Sequence, residues 1–267
     1  MSQTPVSPDR LAACWAEVRT QSPLTQCLTN IVVAPFTANV LLAAGAAPAM
    51  VDNPHEAGDF ARVAGGVLVN LGTPYDDTSQ AMRAAVRGAR EVATPWVLDP
   101  VAAGLAWRTS LARELLETAA PAIIRGNASE ILALGGGAGG RGVDATHSTD
   151  DSVETARSLA RSHGCAVAVS GPVDRLTDGT RSVEVHNGDA LMTRVTGVGC
   201  ALGALMAAAA AVEPDPLLAA TTATAALTVA ADGAAAASAG PGSFAVALLD
   251  ELAVLEADTL AERVRLA

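Results

Sequence analysis

Lysine is absent from all 267 residues, so every fixed cation is one of 17 arginines. This excludes a Walker-A P-loop, whose lysine holds the β/γ-phosphates. It also excludes pyridoxal-phosphate and Schiff-base chemistry, which need a lysine amine. Positive charge is scarce overall: 28 Asp and Glu leave a formal net charge of −11. Nucleic-acid binding calls for a basic stripe, so no nucleic-acid partner is expected. The same charge repels anionic cofactors at long range. Any phosphate site must therefore be local, built from helix ends, arginine and a metal ion. The four cysteines, Cys14, Cys27, Cys165 and Cys200, include no CxxC pair, so no zinc or thioredoxin-like site is signalled. His55, His147, His163 and His186 form no HxxxH pair. Residues 1–10 are polar and carry no signal-peptide core. The longest apolar stretches, such as 201–212, read as too short and too Ala-rich to span a bilayer. The expectation is a cytoplasmic enzyme with reduced thiols and no membrane partner.

What the chain has in abundance is apolar character, at 50% of residues. Short apolar runs at 49–51, 67–71, 96–98, 122–124 and 166–169 are bounded by Gly, Pro or polar residues and read as buried parallel strands. Between them, 35–44, 55–64, 78–93, 109–119 and 150–163 read as helices. Strand and helix alternate, which predicts an α/β layered domain with a mainly parallel central sheet flanked by helices. Residues 173–176 and 182–185, joined by Thr177-Asp178-Gly179, predict a hairpin at one sheet edge. From Cys200 onward the chain reads as helices at 201–212, 216–237 and 243–255 with a short tail. No internal repeat or linker is evident, so 1–267 is read as a single domain. The run 135–142, GGGAGGRG, contains a GxGxxG match at Gly135, Gly137 and Gly140. It follows a predicted helix at 128–134, whereas a dinucleotide fingerprint follows a strand. A surface loop is the better reading.

The strongest local signal is Thr196-Gly197-Val198-Gly199-Cys200 ahead of an Ala-rich helix. Two glycines allow a tight turn that presents N–H groups at a helix N-terminus, where the dipole and unpaired donors favour anions. A cysteine there is expected to have a lowered pKa and partial thiolate character. An ordinary Gly-rich turn with a buried cysteine fits the same residues. A second signal is Arg125-Gly126-Asn127-Ala128-Ser129-Glu130. Asn127 as N-cap with Glu130 three residues on is a capping-box pattern, which alone accounts for both. The functional reading puts Glu130 on metal-bound water and Arg125 on a phosphate. Asp99 ends a predicted strand, at the edge where open α/β sheets bind ligands. Capping the following turn is its other reading. Asn30 is placed to hydrogen-bond a polar ring atom with Met50 packed on it, although a lone Met more often fills a core. Gly240-Pro241-Gly242-Ser243-Phe244 reads as a loop with Ser243 as a helix cap.

In order along the chain stand CLTN, AxPAM, LGT, LDPVAAG, IIRGNASE, GVDA, VSGPVD, NGDALMTRVTGVGC and GPGSF. This succession, from about Ser22 to Leu255, closely resembles hydroxyethylthiazole kinase, a thiamine-salvage family of the ribokinase-like superfamily. The resemblance implies a ribokinase-like fold and transfer of phosphoryl from Mg·ATP to the hydroxyethyl group of 4-methyl-5-(2-hydroxyethyl)thiazole. It implies that Met50, Asn30 and Gly197 bind the thiazole and that Arg125 and Ser170 contact ATP. Asp99 and Glu130 match the positions that organise Mg²⁺. Cys200 occupies the base position, filled by Asp in the wider superfamily. A homotrimer with substrate sites at subunit interfaces is implied as well.

Three departures stand out. Ser170-Gly171 replaces the common Thr-Gly, keeping the hydroxyl. Thr25-Gln26-Cys27 replaces a segment that often carries His. The 135–142 run is peculiar to this chain. A hydroxymethylpyrimidine kinase, a nucleotide-dependent hydro-lyase and a non-catalytic ligand-binding trimer of the same fold remain competing readings. Cys200 speaks against the hydro-lyase, which uses Asp there.

Overall fold

Successive side chains along the apolar runs divide between two faces of one sheet. The computed structural model describes residues 5–136 and 149–267. Its strands are β1 Leu24–Leu28, β2 Ala47–Ala49, β3 Gly66–Asn70, β4 Trp96–Asp99, β5 Ile123–Asn127, β6 Ala166–Ser170, β7 Asp174–Thr177 and β8 Ser182–Val185. They form an eight-stranded sheet in the order β2-β1-β3-β4-β5-β6-β7-β8. Pairing is parallel from β2 to β6, and β7 and β8 add antiparallel at the far edge. Leu68, Val97, Ile123, Ala166 and Ala168 enter one hydrophobic core. Their neighbours Val67, Val69, Leu98, Ile124, Val167 and Val169 enter the other. That is the period-two alternation of a strand buried on both faces.

Helices close both cores. The first face carries α1 Pro8–Gln21, α2 Ala34–Ala43, α8 Val198–Ala210, α9 Pro216–Ala236, α10 Pro241–Val254 and α11 Ala257–Arg263. The second carries α3 Ala57–Val63, α4 Asp76–Val92, α5 Ala106–Thr118, α6 Ala128–Leu134 and α7 Thr149–His163. The three-layer α/β architecture matches the sequence-based expectation. Alanine is the best helix former and permits close approach. Accordingly, most residues of α8 and α9 are buried. At Gly66 the approach of α8 to the sheet leaves no room for a side chain: a Cβ would strike the Ala207 carbonyl.

The structure corrects several expectations. The strand expected at 49–51 is β2 Ala47–Ala49, so Met50 lies just past it. Sequence reasoning missed β1, because Thr25 and Gln26 interrupt its apolar character, yet both are fully buried. It also missed α1, although Leu11, Cys14, Trp15 and Val18 fall on one buried face. No apolar stretch was expected to reach membrane-spanning length, but α9 does by length and composition. It is a core helix, with 89% of its most apolar window buried. In the 135–142 run, Gly135 and Gly136 follow α6. Residues 137–142 and the rest of the GVDA motif lie outside the described residues.

Candidate active site

The carboxyl ends of β1, β3, β4, β5 and β6 lie side by side, and the first turn of α8 comes down over them. Gly197 caps α8 with φ 100°, a left-handed conformation that favours glycine. The first intrahelical hydrogen bond runs from Ala201 N to Gly197 O at 2.8 Å. The N–H groups of Val198, Gly199 and Cys200 precede it and take no intrahelical partner, which makes an anion-favouring end.

The Arg125 guanidinium lies against this turn. A Cβ on Gly199 would come 2.9 Å from its NH2 atom and 3.0 Å from NH1. Arg125 donates from Nε (3.2 Å) and NH2 (2.9 Å) to Ser170 Oγ, and its NH1 stands 3.7 Å from Asp99 Oδ2. Ser170 Oγ in turn hydrogen-bonds the Asp174 carboxyl, which also accepts the Gly171 N–H at 3.1 Å. Burial pushes Asp174 up to about 6 against these hydrogen bonds and the Arg125 charge. Ser170 therefore orients Arg125.

Asp99 ends β4 and is fully buried. Burial drives its pKa up to about 7, opposed by Arg125 and raised further by the charge of Glu130. Its Oδ2 accepts Asn70 Nδ2 at 2.7 Å, and its Oδ1 has no hydrogen-bond partner. Glu130 completes the expected capping box: Asn127 Oδ1 accepts Glu130 N, and Glu130 Oε2 accepts Asn127 N, each at 2.9 Å. Its Oε1 accepts the Ala102 N–H at 2.9 Å. Both of its oxygens are thus pinned by backbone donors.

Among the described residues no group of three or more His, Cys, Asp or Glu converges as a resident metal cage does. A pair of neighbouring carboxylates, one with an orphaned buried oxygen, fits Mg²⁺ of the kind that draws its other ligands from water and substrate phosphates.

Cys200 sits in the first turn of α8. Asn30, two residues past β1, donates from Nδ2 to Cys200 Sγ at 3.3 Å and to Asn70 Oδ1 at 3.4 Å. The expected lowering of the Cys200 pKa is not found. Burial raises the thiol above its ordinary value, and the Asp99 charge raises it further. The Asn70 and Asn30 donors and Arg125 pull the other way without prevailing. Cys200 is a neutral thiol near pH 7.

Of the residues singled out from the sequence, Asn30, Asp99, Arg125, Glu130, Ser170, Gly197 and Cys200 converge here. Met50 follows β2 and is 37% exposed, with no contact to these residues among those described. The next residue, Val51, is tied to β1 by Gln26, whose Nε2 donates to Val51 O at 2.9 Å and to Ala57 O at 3.1 Å. Sequence reasoning missed Gln26, Asn70 and the role of Asp174. An Asn closing the apolar run Val67-Leu68-Val69 was a legible signal, because a buried polar group at a strand's carboxyl end needs a partner.

A parallel-sheet fold with an anion-accepting helix end, an arginine and paired carboxylates at one edge defines a phosphoryl-transfer enzyme for small molecules. The Staphylococcus aureus pyridoxal kinase, solved with AMP-PCP and pyridoxal, superimposes with a TM-score of 0.59 at 14% identity, over 79% of this chain and 87% of that one. That likeness concerns the fold alone.

The family model of the hydroxyethylthiazole kinase family matches residues 15–258, and the chain belongs to that family. It is 58% identical over 254 residues to a hydroxyethylthiazole kinase of Cutibacterium acnes, covering 95% of this chain and 92% of that one. It is 56% identical over 265 residues to one from Clavibacter sepedonicus, covering 98% and 94%. The solved hydroxyethylthiazole kinase of Pyrococcus horikoshii superimposes with a TM-score of 0.89 at 36% identity, over 96% of this chain and 98% of that one. The protein is therefore a kinase, with ATP as co-substrate.

Proposed function

We propose that this chain transfers the γ-phosphoryl group of ATP to the primary hydroxyl of 4-methyl-5-(2-hydroxyethyl)thiazole, in thiamine salvage. The observation that carries the reading is the convergence of Asn30, Cys200, Asp99 and Arg125 beneath the first turn of α8. The alcohol oxygen forms a bond to the γ-phosphorus, the bond to the β-bridging oxygen breaks, and ADP leaves. Such transfer depends mainly on positioning and charge stabilisation.

The Val198 and Gly199 N–H groups receive the γ-phosphoryl oxygens. Arg125, held by Ser170, pairs with the ATP phosphates. Met50, Asn30 and Gly197 bind the thiazole. Asp99 and Glu130 would hold Mg²⁺, which would supply charge neutralisation for the ATP phosphates. Cys200 orients the substrate hydroxyl. Only its thiolate takes the alcohol proton, late in the transfer, so the raised thiol pKa limits that step at neutral pH.

The kinase is a single domain, 1–267, working in the cytoplasm as a homotrimer with its sites at subunit interfaces. Exposed Ile31 (71%) and Val32 (66%) beside Asn30 support an interface there. Sedimentation of the wild type is expected to give a three-chain particle, and Ile31→Asp is expected to dissociate it.

The decisive experiment is mass spectrometry of the products after incubation with the thiazole alcohol and Mg·ATP. The phosphate ester of the alcohol is expected. Phosphorylation of hydroxymethylpyrimidine alone, release of inorganic phosphate without an ester, or binding without turnover would each refute the assignment.

A further inference from the structure

Asn70 touches three of the groups that the proposed function relies on, and that reading gives it no role. It is fully buried at the end of β3. Its Oδ1 accepts the Gly72 N–H at 2.9 Å. A backbone N–H has no alternative role as acceptor, so this bond fixes which way round the Asn70 amide stands. Nδ2 is thereby turned to Asp99 Oδ2, 2.7 Å away, on the side from which Asn70 also draws the Cys200 pKa down. Oδ1, already facing Gly72, accepts Asn30 Nδ2 as well, which forces the Asn30 amide to present its own Nδ2 to Cys200 Sγ. There is no slack for another arrangement, because a side chain on Gly72 would run into the Asn30 amide.

We propose that Asn70 is the positioning residue of this site, setting the donor–acceptor direction of a network that starts at the Gly72 N–H and delivers the Asn30 N–H donor to the Cys200 sulfur. The network has one polarity. Sulfur accepts from the Asn30 amide at 3.3 Å, so its lone pair is steadied from the protein side. Its remaining valence, an S–H or a substrate hydroxyl, is left facing the ligand. Asp99 Oδ2 is held by the same amide, which leaves Oδ1 as the open acceptor. This inference rests on the proposed role of Cys200 but is tested apart from catalysis.

The experiment follows alkylation of each cysteine by iodoacetamide, at one pH, with mass spectrometry and no nucleotide or metal. Cys14, Cys27 and Cys165 are buried and serve as folding reporters. Asn70→Ala removes both ends of the network. Asn70→Asp keeps the oxygen that accepts from Gly72 and Asn30 but removes the donor. Each variant is expected to slow Cys200 alkylation by about five-fold, the size of one lost hydrogen bond. The three buried cysteines stay protected. In turnover, kcat falls while the KM for ATP stays unchanged. Wild-type reactivity at Cys200 in either variant overturns the proposal. So does a general rise at the three buried cysteines without a separate effect at Cys200, since that marks a packing role only. If Cys200→Ala keeps the wild-type kcat while the Asn70 variants still slow alkylation, the catalytic reading fails and the positioning role stands.

Discussion

Asn30 and Cys200 are 170 residues apart in sequence, and their side chains meet at 3.3 Å. The contact joins the end of β1 to the first turn of α8, so the thiol is aligned by the sheet. Cys200→Ala is expected to lower kcat by about 10²–10⁴-fold, the span of a lost proton acceptor, while ATP binding stays near wild type. Cys200→Asp is expected to retain activity. Because burial and Asp99 raise the thiol above its ordinary 9.0, the wild-type kcat should climb with pH throughout the neutral range. Cys200→Asp should not show that climb. Coupled ADP-release assays across pH check all three. An unchanged kcat in Cys200→Ala removes the assignment.

The Cys200 pKa shows where sequence reading reached its limit. A helix N-terminus was legible in Gly197-Val198-Gly199-Cys200, and it argues for a thiolate. Burial and the neighbouring Asp99 belong to tertiary structure, and both raise the thiol. The strands were legible wherever short apolar runs were uninterrupted, as at 67–69 and 166–169. β1 was not, because Gln26 hydrogen-bonds two carbonyls from the next layer that no local pattern reveals. The motif order brought seven of the eight site residues together, yet Asn70, the residue that links them, looked like the end of a strand.

At Gly199 the backbone of α8 runs close against the Arg125 guanidinium. Gly199→Ala puts a methyl within 3.0 Å of the Arg125 guanidinium, which Ser170 and Asp99 hold in place. The helix itself gains a better former, so thermal stability should change little. The displaced guanidinium should raise the KM for ATP by about ten-fold, the scale of a modest overpacking. Steady-state kinetics beside a melting curve separates the two effects. A KM equal to wild type would show that Arg125 does not serve ATP.

Ser170 accepts two guanidinium donors on one oxygen. Ser170→Ala should weaken ATP binding by about ten-fold, as expected for lost hydrogen bonds to a charged group. Ser170→Thr should keep it. Calorimetric titration with a non-hydrolysable ATP analogue reads both. Equal losses in the two variants would mean that volume, and not the hydroxyl, is what matters.

Asp174 makes the pH dependence testable. Its folded pKa is raised from 3.8 to about 6 by burial. Between these values the unfolded chain has released the proton that the folded chain keeps, so this group's contribution to stability falls as pH rises through the window. Asp174→Asn removes the cost of ionisation while its amide oxygen still accepts from Gly171. Relative to wild type, the variant should gain roughly 2 kcal/mol between pH 4 and pH 7. Urea denaturation at the two pH values measures the difference. Parallel behaviour of the two proteins would show that Asp174 titrates as an ordinary carboxylate.

Two glycines whose close contacts lie outside the site residues separate stability from catalysis. A Cβ at Gly66 would strike the Ala207 carbonyl of α8, and one at Gly88 would strike the Gly58 carbonyl of α3. In both cases the obstacle is backbone, so a helix must move, and each Gly→Ala change should cost about 3 kcal/mol, at the upper end for overpacking. The consequences for the site differ. α8 carries Gly197, Gly199 and Cys200 at its start, and its Gly203 faces Asp99, whose Oδ2 lies 3.6 Å from where a Cβ would stand. Pushing α8 off β3 therefore carries the thiol away from Asn30. The contact at Gly88 joins α3 to α4 on the opposite face of the sheet and touches none of these residues. Gly66→Ala should lose both melting temperature and kcat per folded molecule. Gly88→Ala should lose melting temperature alone. Differential scanning calorimetry with active-site-normalised turnover distinguishes them. Equal kcat in the two variants would mean that the close seating of α8 on β3 serves stability and leaves catalysis untouched.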